Sequence, residues 1–526
     1  MTIPATQAED VGAVPQQGHW LDRIDRACER IGDSLNPILV KETRQALKSR
    51  QFVTTFSVLL FAALGWTVIG SLSLMPQIYT SPSAPRLLIG YYIVLAIPML
   101  LVVPLAAYRS LEGEIDDGTL ELLSISTLSP WQIVLGKLAS AMLQMVLYYV
   151  ALFPCVAYAY TLRGVDLPTT LLIMALLIAA AVMLTILSLF FAPLARSRTG
   201  RISTLLAVML VLLLSEWGLA FLVVNLILFG NPLSTAMMFY IVTSVLMFAL
   251  SLGHLLLTAT AAQLTPESEN RSTHLRVSML LFSTVIVGLG ALAIQMFDLA
   301  AVDILLIYGM VAGVFWLICG SMIAAEREVV TPRVRRELPS SLFARCLLTW
   351  LTPGPVTGLV FAVVNVVALA MAGRIAFRYL FDQAATPAIP NPVNPLIIGF
   401  ASYAVVFLVG VRLVIGGIRI KNNPRVEVGL AALIAVAVLS ALVPYSLGLH
   451  FNDYREYSYS GWQISNWAWT LLEIFRGRNL EREVLVVAFT GLVAFLGCIL
   501  ATPHVVLPRR TATPLRVKRE RAETGT

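Results

Sequence analysis

Stretches of about twenty apolar residues recur along nearly the whole chain, separated by short polar turns. A run of that length, coiled at ~1.5 Å per residue, spans the ~30 Å hydrocarbon core of a bilayer. Lipid offers backbone N–H and C=O groups no partner, so only helices or closed barrels occupy it, and long unbroken runs select helices. Hydropathy places about twelve spans, near 52–74, 87–108, 138–160, 169–193, 203–228, 235–258, 277–297, 303–323, 355–378, 395–418, 427–447 and 484–506. With 58% hydrophobic and 13% charged residues, the chain lacks the polar surface of a soluble domain, which carries about 25% charged residues. The fold class expected is an all-α polytopic membrane protein, multi-pass in a cell membrane.

The formal charge of +7 is distributed in a way that excludes a nucleic-acid partner. Arg196, Arg198 and Arg201, then Arg271 and Arg276, then Arg327, Arg333, Arg335 and Arg336, then Lys421 and Arg425 fall in alternate loops. A basic tail from 507 to 526 joins the same set. The intervening loops near 75–86, 161–168, 229–235 and 298–302 hold only Arg86 and Arg163 as basic residues, as the positive-inside rule requires if both termini are cytoplasmic, while the longer segment 448–483 carries several charges. The five cysteines and five histidines show no metal-ligand spacing, and no bound cofactor is expected.

Before the first span, residues 1–18 read as a disordered tail and 19–51 as a basic interfacial region. Asn36-Pro37 is a helix start, an N-cap followed by proline at the first helical position. On the helix that follows, Leu39, Val40, Thr43, Ala46 and Leu47 share one face, while Lys41, Arg44 and Lys48 point the other way. That pattern predicts an amphipathic helix lying along anionic headgroups.

The stretch 109–137 is polar and acidic between two apolar runs, so it cannot sit in hydrocarbon. Glu112, Glu114, Asp116 and Asp117 precede Gly118-Thr119-Leu120-Glu121, where Asp117 or Thr119 is expected to cap a short helix with Leu120 and Leu123 stacked on one face. Ser129-Pro130-Trp131-Gln132 reads as a capping box that launches the third span, and Lys137 is expected to snorkel to the headgroups. Two short helices joined at a bend would form a stiff lever on the membrane surface.

This wording is similar to the E-R-x-x-G-T-L-E-x-L-x-x-x-P-L-S-x-x-x-I-V-x-G-K pattern of type-2 ABC exporter permeases. The match runs through Glu114, Gly118, Thr119, Leu120, Glu121, Leu123, Leu128, Ser129, Ile133, Val134, Gly136 and Lys137. Asn36, Pro37, Lys41, Glu42 and Arg44 resemble the amphipathic entry helix of the same family. Ile115 stands where a basic residue is usual, and Thr127-Leu128 where Pro-Leu is common. The resemblance implies a coupling loop at 109–137 and a cytoplasmic ATP-binding cassette ATPase as partner. ATP and Mg would be bound by that partner. The chain has no GxxxxGK(S/T) phosphate loop and is not expected to be an enzyme.

Family members carry about six spans and dimerise. Here 52–260 reads as a permease-like six-helix domain and 261–506 as a second six-helix region. The second region is either a degenerate repeat, which would give an internal pseudo-dimer, or an unrelated bundle beside a homodimer. Glu216, inside the fifth span, is a candidate lining residue of a translocation path; a neutral hydrogen-bonded acid between helices is the plainer reading. The aromatic segment 448–483 reads as an interfacial belt or a lid. Two other functions fit the same pattern: an ion-coupled secondary transporter of about twelve spans, and a membrane scaffold that transports nothing.

Overall fold

The computed structural model describes residues 37–76, 81–119, 128–162, 164, 167–194, 198–229, 234–266, 269–297, 301–326, 332–337, 341, 343–344, 348–383, 393–418, 426–452, 458–501, 516–517 and 519. Among these the structure is helical, with no strand. Twelve helices are long and apolar enough to cross a membrane. The chain is thus an all-α, multi-pass membrane architecture, and each hydropathy run corresponds to one helix.

The contacts group the chain into two compact units, Met1–Phe229 and Gly230–Thr526. In the first unit, α1 (Pro37–Lys48) precedes α2 (Arg50–Ser73), α3 (Ala84–Asp116), α4 (Pro130–Thr161), α5 (Leu167–Phe191) and α6 (Arg198–Phe229). Local signals set the boundaries. Ser49 accepts the Phe52 N–H and starts α2. Ser129 and Gln132 close a reciprocal capping box at the start of α4, with Pro130 as first helical residue. Within α3 the residues Ile97–Val102 wind as a π-helix. Pro98 has no N–H, so the α-type bond to the Val94 carbonyl cannot form and the ladder shifts to i→i+5.

Helices α2 and α3 approach closely because Gly90 leaves room for the Trp66 indole, whose Nε1 donates to the Leu87 carbonyl at 3.1 Å. One turn on, the Thr67 and Tyr91 hydroxyls meet at 2.6 Å. In lipid such interhelical bonds and close small-residue contacts replace the hydrophobic drive that water supplies.

The second unit holds α7 (Thr235–Leu264), α8 (Ser272–Met296), α9 (Ala301–Ala324), α10 (Pro332–Glu337), α11 (Pro355–Gln383), α12 (Val393–Ile418), α13 (Val426–Phe451), α14 (Trp467–Phe475) and α15 (Glu481–Leu500). Its core is a contiguous cluster around Trp316, Phe282, Phe361 and Leu408. The Trp316 indole N–H is satisfied by Ser283 Oγ at 2.9 Å. Helix α7 packs on α8 within the second unit.

The aromatic segment is a docked cap. Tyr403 of α12 donates to the Ile464 carbonyl at 2.5 Å, Gln463 Nε2 to the Pro444 carbonyl at 2.9 Å, and Trp467 Nε1 to the Ala437 carbonyl at 2.9 Å. Asn466 caps α14 by accepting from the Trp469 N–H. Trp462 is exposed while Tyr459 is buried, so these aromatics divide between the surface and the bundle. Tyr454 and Tyr457 lie outside the described residues.

Candidate functional site

The residues singled out before the third span converge at one end of the first unit. Helix α1 is amphipathic as its spacing requires: Ile38 is buried, Leu39, Val40, Thr43, Ala46 and Leu47 are partly buried, and Lys41, Arg44 and Lys48 are exposed. Pro37 is its first residue, and Asn36 lies outside the described residues. Helix α1 packs on α4 and α2. Glu42 breaks the pattern of exposed charge, because its side chain is only 12% accessible.

Helix α3 runs on past the hydropathy boundary to Asp116, so Glu112 and Glu114 ride on the extension of a spanning helix. Asp117 is the C-cap of that helix, its N–H bonded to the Gly113 and Ile115 carbonyls, rather than the N-cap expected for a new one. Gly118 then takes φ +67°, a left-handed conformation that costs a side-chain-bearing residue ~1–2 kcal/mol. The Thr119 hydroxyl turns back to the Glu114 carbonyl at 3.1 Å. Leu120, Glu121 and Leu123 lie outside the described residues.

Lys137 does not snorkel. It is buried in the second turn of α4, one residue beyond the buried Gly136. Its Nζ donates to Glu42 Oε1 at 3.1 Å and to Ser110 Oγ at 2.7 Å. Glu114 Oε2 lies 3.1 Å away as an ion pair rather than an aligned hydrogen bond. Ser110 Oγ in turn donates to Glu42 Oε2 at 3.1 Å. Lys41 approaches Glu114 Oε1 at 3.5 Å from the exposed side. Two lysines and two carboxylates therefore balance, which offsets the cost of taking an ammonium out of water.

The neighbouring acids have separate partners. Glu112 accepts from the Tyr108 hydroxyl at 3.5 Å, and Asp116 pairs with Arg201 of α6. Ser110 and Arg201 were not legible as parts of this cluster: a serine in a helix carries no partner signal, and Arg201 reads as one more topology charge. Four helices (α1, α3, α4 and α6) are thus tied together by ionic contacts at one end.

A second buried ionic centre lies in the second unit. Arg276 of α8 is fully buried, with Nη2 2.8 Å from Glu326 Oε2 and 3.1 Å from the Gly354 carbonyl, and Nη1 2.6 Å from the Trp350 carbonyl. Glu326 also accepts from the Gly354 N–H at 3.0 Å and from the Ser272 hydroxyl. The segment before α11 is therefore pinned to the ends of α8 and α9. Sequence reasoning took Arg276 for a loop charge, whereas the helix begins at Ser272 and folds it inward.

No family model, curated protein or solved structure matches the chain. Its function therefore rests on the residues themselves. Among the described residues no three His, Cys, Asp or Glu side chains are grouped to hold a metal ion. Glu216 lies in α6 and is half-buried.

Proposed function

We propose that the chain is the transmembrane permease subunit of an ATP-binding cassette exporter, moving its substrate across the cell membrane with ATP hydrolysed by a separate cytoplasmic ATPase. The observation that carries this reading is the Lys137 cluster. It locks the amphipathic helix, the acidic end of the second span and the start of the third span into one body. A motor outside the bilayer needs such a body: a push on a flexible loop is lost, whereas a push on a helix continuous with a span moves the span. Exposed Asp117 and Gly118 at the tip of α3 supply the contact surface, and Lys137 passes displacement sideways to α1 and α4.

In this reading the cluster faces the cytoplasm, the basic loops face the same side, and the ATPase docks there. The test is co-expression with the ATPase encoded by a neighbouring reading frame, followed by purification through a tag on this chain. Capture of the ATPase, and ATP-dependent transport in vesicles, support the reading. Repeated isolation of the chain alone, or transport that follows a proton gradient and survives ATP depletion, overturns it.

A further inference from the structure

The aromatic segment between α13 and α15 reaches far below the ends of the helices it joins. Trp467 Nε1 donates to the Ala437 carbonyl, and Ala437 lies fourteen residues, ~21 Å, from the end of α13 at Phe451. The Trp467 ring also meets Phe407 at 6.2 Å, and Phe407 lies fourteen residues from the start of α12 at Val393. The Ile464 carbonyl accepts from Tyr403, ~15 Å along the same helix. Two spans thus give one depth for residues 464–467, near the middle of a hydrocarbon core ~30 Å thick.

From that depth α14 climbs back the way the chain came. Trp467 stands against Phe407, and then Leu471 and Ile474 stand over Gly399, nearer the start of α12. The segment enters beside Tyr459 and leaves beside Arg478. The Arg478 Nη2 donates to the Tyr459 carbonyl at 3.3 Å, and its guanidinium lies over the Tyr459 ring.

A turn and a helix start at this depth hold backbone groups that lipid leaves unpaired. Here the protein pairs them. The Gln463 N–H donates to the Ser460 carbonyl and the Asn466 N–H to that of Gln463, while Asn466 Oδ1 takes the Trp469 N–H. Gln463, Asn466 and Thr470 are buried. The side turned away from the bundle exposes Trp462, Ala468, Leu472 and Phe475, with Ser465 as its polar exception. Ala468, Leu472 and Phe475 follow at i, i+4 and i+7, one stripe along α14. A lid in water has no need to turn polar groups inward and an apolar stripe outward.

We propose that residues 459–478 form a re-entrant half-span, and that lipid acyl chains cover the Ala468–Leu472–Phe475 stripe. Depth commits the occupant, because a face beside the middles of two spans lies where the bilayer holds hydrocarbon and no water. On this proposal the segment is neither an interfacial belt nor a lid. It uses the membrane architecture alone and holds whichever way the exporter reading falls.

The test replaces the five cysteines with serine and attaches a nitroxide at Ala468→Cys, Leu472→Cys, Phe475→Cys or Asn479→Cys in reconstituted vesicles. Collisions are read with oxygen, which partitions into lipid, and with a water-soluble nickel chelate. Oxygen should dominate at Ala468 and Leu472, less so at Phe475, and the chelate should dominate at Asn479. Chelate contact at all four positions overturns the proposal in favour of a surface lid. Exclusion of both reagents at Ala468 and Leu472 overturns it in favour of a protein cover. Should the cysteine-free chain fail to fold, Leu472→Trp in the native background replaces it. Its added emission should be quenched by lipid brominated along the acyl chains and not by iodide; quenching by iodide, or by neither, overturns the proposal.

Discussion

The Lys137 ammonium lies 3.1 Å from Glu42 Oε1 although 95 residues separate them. That contact joins the helix before the first span to the first turns of the third, and Glu114 of the second span closes on the same ammonium at 3.1 Å. Removing one member of a buried ionic group leaves the others uncompensated, which costs more than the group contributes net.

Lys137→Met should therefore destabilise the first unit by ~3–5 kcal/mol, leaving Glu42 without its cation and Glu114 with only the exposed Lys41. Thermal unfolding of the detergent-purified chain measures it. Combining Lys137→Met with Glu42→Gln should cost less than the sum of the two, and strict additivity would remove the pair from the account.

At Gly118 the φ of +67° is the only obstacle to a side chain, since an added Cβ meets nothing within 4 Å. Gly118→Ala should lower stability by ~1–2 kcal/mol and Gly118→Asn by less, because asparagine tolerates the left-handed region. Equal effects in thermal unfolding would mean that the turn does not depend on this conformation.

The Ser129–Gln132 capping box predicts a loss of ~1 kcal/mol for Ser129→Ala, through the orphaned Gln132 N–H. Ser129→Asp should restore it. Hydrogen exchange at the first turn of α4 reports the change locally, and equal protection in all three chains would contradict it.

In the second unit, Arg276→Lys cannot reproduce the fork that reaches Glu326 and the carbonyls of Trp350 and Gly354 together. Limited proteolysis near residue 350 should accelerate in Arg276→Lys and more so in Arg276→Met. Unchanged cleavage in both would show that the segment is held by other contacts.

Outside the spans, burial pushes the Tyr459 phenol above its ordinary value, and Glu483 and Glu473 add to the rise against Thr470 and Arg478. The folded chain then keeps this proton where the unfolded chain, with a pKa of about 10, loses it. Stability should fall as pH rises past that value, and Tyr459→Phe should flatten the fall in alkaline unfolding curves.

Much of the architecture was legible because it depends on local pattern. Apolar runs gave the twelve helices, and Ser129, Pro130 and Gln132 gave a cap that forms as its sequence implies. The amphipathic face of α1 followed from spacing alone. Long-range pairing was not legible. Lys137 read as a snorkelling cation because nothing nearby announces Glu42, and Arg276 read as a loop charge because Glu326 is 50 residues away. The end of α3 was missed for a related reason. Hydropathy stops at the first charges, whereas a helix continues where those charges find partners, as Glu114 does on Lys137 and Asp116 on Arg201.

The most direct measurement is crosslinking from Asp117→Cys, at the exposed tip of α3, in vesicles of defined sidedness from cells that also make the neighbouring ATPase. The account predicts that the thiol reacts from the cytoplasmic side only, and that a short bifunctional reagent joins it to the ATPase. Labelling from the opposite side, or cytoplasmic labelling that never yields an ATPase adduct, would contradict the proposal that a motor drives the bundle through this tip.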